Sequence, residues 1–192
     1  MDYLIWKLDR QDGQAMIYDG WPALSVSFSR GDFITNPVPM IEITMNEKSQ
    51  GFMTDNLIVV GAPPIFSDRM ISVLTDAGVN NIQTFPCKII NNITGEIFDN
   101  YKVINVIGKI SCLDINNSEV EFLDSEKTKI LLYEYLTLDE SKIGEQLFFV
   151  LSEMPVQIIV HKKVVKMLQD AEITGVDFIE QGDLTVEFPP II

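Results

Sequence analysis

The sequence predicts an α+β fold, with two principal helices packed on a mostly antiparallel sheet. Short apolar runs that alternate with polar residues, the pattern of β-strands, recur along the chain, whereas only two segments have the apolar spacing of a helix. Each of these two segments follows a strand-like run and precedes a short loop and another strand-like run. Strands that outnumber the helices and surround them favour an α+β arrangement.

The N-terminal part is expected to contain short strands and long loops. Residues 3–8 alternate in hydropathy, and residues 23–28 place Leu24, Val26 and Phe28 on one face of a predicted strand. Residues 30–51 show little periodicity except at Ile41–Met45, which is predicted to be a strand.

The first helix is predicted to begin after Ser67 and to end before Gly78. Ser67 has the side chain of a helix N-cap, Asp68 places a negative charge in the first turn, and Gly78 is a suitable stop. An apolar run at residues 57–60 precedes this helix. The apolar residues that share one helical face are Met70, Ile71, Leu74 and Ala77.

The second helix is predicted at residues 162–171, where the shared apolar face is formed by Val164, Val165, Leu168 and Ala171. Other strand-like runs occupy residues 82–90, 101–107, 130–136, 147–151, 156–160, 175–179 and 184–188.

The two helical regions resemble each other at a spacing of 94 residues. At that spacing Leu74 aligns with Leu168, and Asp76 aligns with Asp170. The sequence therefore indicates a repeated strand-helix-strand unit. It leaves open whether the repeat is an old duplication or whether the two regions are merely similar supersecondary structures.

Length and composition predict one domain over residues 1–192, with residues 1–50 less clearly assigned. The net charge of −14 argues against direct binding of nucleic acid or of anionic membranes, because both need clustered Lys and Arg. The chain shows neither a basic, apolar signal peptide nor an apolar run of about 18 residues. These features predict a cytoplasmic protein.

No residue of the sequence is assigned a catalytic, cofactor-binding or metal-binding role. His161 is the only histidine, and it is expected to cap the second helix or to contact solvent. Cys87 and Cys112 lie in apolar runs and are expected to be small core residues. The stretch from Asp114 to Ser118 lacks the glycine and the terminal glutamate of a calcium loop. The sequence therefore predicts a protein that binds, without a cofactor, and not an enzyme.

Acidic residues gather in two segments, between Lys109 and Lys127 and after Lys166. The second helix has lysines near its N-terminus and acids near its C-terminus, the reverse of what the helix dipole favours. The acids are either solvated surface residues or a site for a basic protein. The candidate partner-binding residues are Asp114, Glu119, Glu121, Asp124, Glu126, Asp177, Glu180, Asp183 and Glu187.

Several motifs occur in a distinctive order along the chain. The central motif is Tyr101-Lys102-Val103-Ile104-Asn105-Val106, followed by Cys112-Leu113-Asp114. Together with the helix start at Phe66-Ser67-Asp68-Arg69 and the later Thr174-Gly175-Val176-Asp177-Phe178, it resembles an immunity-protein family of bacterial polymorphic toxin systems, and the resemblance covers residues 57–180. His161-Lys162 departs from the Ser-Asp or Ser-Glu start expected for the second helix.

The resemblance implies a protein that binds and neutralises a cognate toxin, with no catalytic residues. Toxins of such systems are often nucleases, whose basic surfaces would complement an acidic partner. Two other functions stay open: a small enzyme or ligand-binding domain with a pocket between sheet and helices, and a scaffold subunit of a larger assembly. The sequence also leaves a homo-oligomer open.

Overall fold

The computed structural model describes residues 1–24, 26–28 and 31–183. Within them the chain forms two α-helices, Asp68–Asp76 (α1) and Lys162–Asp170 (α2), and fourteen strands, which confirms the predicted α+β class. The strands are Tyr3–Leu8 (β1), Met16–Ile17 (β2), Ile41–Met45 (β3), Asn56–Val59 (β4), Ile65–Ser67 (β5), Ile82–Asn91 (β6), Ile97–Phe98 (β7), Tyr101–Val106 (β8), Lys109–Ile110 (β9), Glu119–Phe122 (β10), Ile130–Tyr135 (β11), Phe148–Leu151 (β12), Met154–His161 (β13) and Val176–Ile179 (β14).

The described strands form two larger sheets and one hairpin. The first sheet has the order β2-β4-β5-β8-β6-β3, with β7 also paired to β6, and the second has the order β14-β1-β13-β12-β9. The hairpin consists of β10 and β11. Pairing is antiparallel except between β2 and β4, β3 and β6, and β9 and β12. The fold is mostly antiparallel, as predicted, but it has two larger sheets where one was expected.

The two sheets share one topology. The order β2-β4-β5-β8-β6 in the first sheet corresponds to β9-β12-β13-β1-β14 in the second, and in both the helix joins the third strand of that order to the fifth. The first unit comprises β1–β6 with α1, and the second comprises β8–β14 with α2. The fourth strand of each sheet is the first strand of the other unit: β8 pairs in the first sheet, and β1 pairs in the second.

The strand register supports this correspondence. Tyr101 of β8 pairs with Ser67, the N-cap of α1, and Tyr3 of β1 pairs with His161, the N-cap of α2. The sequence repeat is thus also a structural repeat, in which the two units exchange one strand.

A central apolar cluster joins both sheets to both helices. It includes Trp6 of β1, Phe66 of β5, Leu74 of α1, Ile158 of β13 and Leu168 of α2, all buried. Two further clusters lie apart from it, one built on the first sheet and one on the second sheet beneath the β10–β11 hairpin. Burial of apolar surface in these clusters is the main force that holds the short strands together.

The ends of α1 follow the local sequence signals. The Ser67 Oγ accepts a hydrogen bond from the Met70 backbone N–H at 3.1 Å, as expected of an N-cap. Gly78 follows the helix with φ of +98°, a conformation that other residues adopt at a cost.

The strand predicted at residues 23–28 is wrong for the part that the structure describes, where residues 23, 24 and 26–28 form no strand. Their apolar side chains serve another purpose, because Leu24 and Val26 pack against the cluster on the first sheet, and the buried Phe28 ring contacts Phe85 edge to face. The alternation therefore reflects side-chain burial by a loop. The strand predicted at residues 184–188 lies outside the described residues.

Candidate partner-binding surface

The β10 strand has one acidic face. Glu119 and Glu121 are exposed, whereas Val120 and Phe122 are half-buried and pack on the cluster of the second sheet. Because successive side chains of a strand point to opposite faces, the apolar contacts of β10 direct both carboxylates to solvent. Two of the predicted residues therefore form a pair on an exposed strand face.

Three other acids of this segment are placed differently. The Asp114 carboxylate caps a 3-10 turn, accepting hydrogen bonds from the Asn116 N–H at 3.1 Å and from the Asn117 amide at 2.7 Å. Asp124 organises the hairpin turn through hydrogen bonds from Thr128 and Lys129, and the Thr128 N–H lowers the pKa of this carboxyl. Glu126 is exposed in the same turn. Asp114 and Asp124 thus have local structural roles.

The second acidic segment follows α2. Asp177 is exposed on β14, opposite Lys7 of β1. Glu180 forms an ion pair with Lys162 at 3.0 Å, and the exposed Asp183 donates its backbone N–H to the Glu180 carbonyl oxygen in a tight turn. Glu187 lies outside the described residues.

The structure brings the two acidic segments to one short stretch of chain, residues 136–138. On one side, the Asp114 N–H donates to the Thr137 carbonyl oxygen at 2.9 Å. On the other side, the Gly182 N–H donates to the Leu136 carbonyl oxygen at 2.9 Å, and the Leu138 N–H donates to the Gln181 side chain at 2.8 Å.

We call five acids of the chain segments that meet at this stretch the acidic rim; they are Asp114, Glu119, Asp139, Glu180 and Asp183. Four other predicted acids of the described residues, Glu121, Asp124, Glu126 and Asp177, are not part of it.

Sequence reasoning missed Asp139 and its neighbour Glu140. Asp139 caps a second 3-10 turn and forms an ion pair with Lys142 at 3.1 Å, and hydrogen bonds from Ser141 and Lys142 lower the pKa of its carboxyl. Glu140 accepts hydrogen bonds from the backbone N–H groups of Asp2 and Tyr3, which anchors the start of β1. The available signal was an acid pair that begins three residues after the strand predicted at residues 130–136.

Ion pairs offset part of the unfavourable charge order on α2. Lys162 at its start contacts Glu180, and Lys166 contacts Asp170 at 2.8 Å within the helix. His161 caps the helix, since its Nδ1 accepts the Lys163 backbone N–H at 3.0 Å. The expected capping role of His161 is therefore confirmed.

Asp55 is a buried acid that the sequence did not reveal. Burial opposes its ionisation, but hydrogen bonds from Arg69, Ser67 and Thr174 outweigh that effect and lower the pKa of its carboxyl to about 2. Arg69 also donates to the carbonyl oxygens of residues 171 and 172. The Asp55 carboxylate thus links α1 to the loop after α2 through hydrogen bonds. It is therefore not part of a binding surface.

The cysteines are buried, as expected. Burial raises the pKa of the Cys87 thiol to about 11 and that of Cys112 to about 12, which keeps both protonated near neutral pH. Among the described residues, no three His, Cys, Asp or Glu side chains are grouped as metal ligands would be.

The sequence matches the model of the Immunity protein family (Imm11) over residues 29–183. This range contains both helices, most of both sheets and every candidate acid except Glu187. The chain therefore belongs to this family of immunity proteins. No curated protein matches the chain. Neither of the described helices, each nine residues long, meets the length and hydropathy that a membrane-crossing helix requires.

Proposed function

We propose that this chain is the immunity protein of a bacterial polymorphic toxin system. It binds a cognate toxin in the cytoplasm of the toxin-producing cell and its kin, and it acts by binding and not by catalysis. The observation that carries this proposal is the family match over residues 29–183.

We further propose that the toxin is a nuclease and that the acidic rim covers its active or substrate-binding surface. A nuclease binds its substrate through a basic surface, because it must neutralise phosphates. An acidic partner therefore attracts such a surface at long range, which accelerates association and orients the two proteins.

Two residues of the acidic rim best support this role. Glu119 and Asp183 are exposed, and neither lies within ion-pair distance of a cation among the described residues. By contrast, Asp139 and Glu180 already have lysine partners. Exposed carboxylates without internal partners are the ones available to a basic protein.

Growth rescue tests the proposal. Co-expression of the chain with the toxin domain encoded beside its gene is expected to restore growth, and the Glu119→Lys/Asp183→Lys variant is expected to rescue less well. Like charges facing each other across an interface cost several kcal/mol, so the affinity should fall by at least about tenfold.

The matched control is Glu42→Lys/Glu47→Lys, which makes the same charge change on exposed residues near the β3 edge of the first sheet. It should rescue growth as the wild type does. Absence of rescue by the wild-type chain would contradict the immunity role. Equal rescue by both double variants would contradict only the acidic rim as the interface.

A further inference from the structure

A cleft of about 480 Å³ opens between the two sheets, and no residue of α1 or α2 lines it. Its inner wall includes Trp6, Val106 and Ile158, which also belong to the central apolar cluster. Its rim includes Pro63, in the β4–β5 connection, and Val156, near the start of β13. The β4–β5 connection and the β12–β13 connection occupy equivalent positions in the structural repeat, so the cleft lies where the two units meet.

Three polar side chains that line the cleft already have hydrogen-bond partners. The Tyr133 hydroxyl donates to Gln157 Oε1 at 2.6 Å, and Gln157 Nε2 donates to the Trp6 and Ile158 carbonyl oxygens. Asn56, which also lines the cleft, donates its side-chain amide to the Gly175 carbonyl oxygen at 3.0 Å. A ligand group that enters the cleft therefore meets mainly apolar surface, which favours an apolar group.

Within the part of the chain that the structure describes, the charged residues that line the cleft are both basic, Lys7 and Arg10. They contrast with the net charge of −14 of the whole chain. Arg10 is exposed, and no carboxylate of the described residues lies within ion-pair distance of it. Guanidinium is the side-chain group best suited to a carboxylate, which it binds with two parallel hydrogen bonds.

We propose that this cleft binds a linear aliphatic carboxylate, with the hydrocarbon chain inside and the carboxylate at Arg10. The volume lies within the range of small-molecule sites, roughly 300–1,000 Å³, and such sites combine apolar walls with few polar groups. A basic toxin surface suits this cleft poorly, because the exposed Arg10 would repel it. The site is therefore separate from the acidic rim, and it stands whether or not the proposed toxin partner is correct.

Intrinsic fluorescence can test this proposal, because Trp6 and Trp21 are the only tryptophans of the chain and both line the cleft. Titration with octanoate, decanoate and dodecanoate should give saturable changes with one ligand per chain. The affinity should rise about fourfold with each added methylene, in line with the transfer of hydrocarbon out of water. Dodecanoate should also raise the melting temperature.

Two variants test separately the contact of Arg10 with the carboxylate and the contact of the cleft with the hydrocarbon chain. Arg10→Gln should weaken dodecanoate binding about tenfold and leave dodecanol binding unchanged, because only the carboxylate loses a charged partner. Val156→Asp, at a side chain 50% exposed on the rim, should abolish binding of both. Leu131→Asp, at a side chain 51% exposed and outside the cleft, is the matched control and should bind dodecanoate normally.

The absence of saturable binding by any of the three carboxylates would overturn the proposal. So would equal binding of dodecylammonium and dodecanoate, or an unchanged response in Val156→Asp, since either result indicates a non-specific surfactant effect.

Discussion

Asp55 links parts of the chain that are far apart in sequence. Its carboxylate accepts hydrogen bonds from Ser67 and Arg69 at the start of α1 and from Thr174 after α2. The neighbouring Asn56 N–H donates to the Thr174 carbonyl oxygen at 3.0 Å. This buried carboxylate thus adds polar contacts between the two units to the apolar contacts of the central cluster.

The Asp55→Asn variant is expected to be less stable by about 2 kcal/mol at neutral pH, since it loses the ion pair and the depressed pKa of the carboxyl. The folded-state pKa lies below the ordinary value of an aspartate. The stabilisation is therefore complete above about pH 5 and is lost as the pH falls toward 2.

Urea unfolding at a series of pH values measures this effect as the difference between wild type and variant. The difference should shrink as the pH falls from 5 to 2. Asp12→Asn, at an exposed aspartate, is the control and should change stability by less than about 0.5 kcal/mol. A pH-independent difference for Asp55→Asn would show that the ion pair is not the cause.

His161 provides a second prediction at this scale. Its Nδ1 caps α2, and its ring packs edge-on against Tyr3 at 5.1 Å between centroids. His161→Ala should lower the free energy of unfolding by about 1 kcal/mol, and His161→Ser should lower it less, because serine retains a capping oxygen as Ser67 does in α1. Equal losses in the two variants, measured by urea unfolding, would exclude capping as the source of the stability.

Individual residues were predictable where local chemistry decides their role. The cap at Ser67 and the buried cysteines follow from neighbouring sequence alone. The ion pair of Asp55 with Arg69 and that of Lys162 with Glu180 depend on how distant segments meet. Among 28 acids, nothing local separates a structural carboxylate from one available to a partner.

At the scale of elements, Gly175 controls how closely β14 and β4 approach each other. Its φ is +82°, and a Cβ there would collide with the Asn56 carbonyl oxygen and lie 2.8 Å from Thr54 Oγ1. Gly175→Ala should therefore destabilise the protein by about 2 kcal/mol more than Gly95→Ala. Gly95 has a similar φ of +76° but no atom within 4 Å of its Cβ position, so it is a matched control for backbone strain alone.

Thermal or urea unfolding of the two glycine variants provides the comparison. Equal destabilisation would mean that the positive φ, and not the close approach, requires glycine at residue 175.

Long elements with clear periodicity were predicted well, whereas several of the short strands were missed. Both helices, β6 and β13 follow from apolar spacing and caps. Strands of two to four residues, such as β2, β9 and β10, carry too few residues to show a period, and their pairing comes from distant partners. The apolar alternation at residues 23–28 led to a wrong strand prediction. A loop can bury alternate side chains without forming the backbone hydrogen bonds of a sheet.

At the scale of the whole molecule, the exchange of β1 and β8 makes the two units depend on each other. The helix and its flanking strands recur at a spacing of 94 residues, but the fourth strand of each sheet comes from the other unit. The central cluster then draws on both units, so neither has its own complete core. The assignment of residues 1–192 to one domain stays a prediction that agrees with this shared core.

The acidic rim likewise depends on the fold of the whole molecule, because the segments around Asp114 and Asp183 meet through their contacts with residues 136–138. Sequence reasoning found the acids of both segments but could not select among them. Family membership identifies the class of partner, and the surface geometry proposes where that partner binds.

The most direct measurement is the dissociation constant between this chain and the toxin domain encoded beside its gene, determined by isothermal titration calorimetry at low and high salt. We predict a dissociation constant of about 1 nM or lower that weakens as salt rises, because charge complementarity contributes to the complex. No measurable binding at micromolar concentrations under either condition would contradict the immunity function. Tight binding that does not change with salt would contradict the acidic rim as its basis.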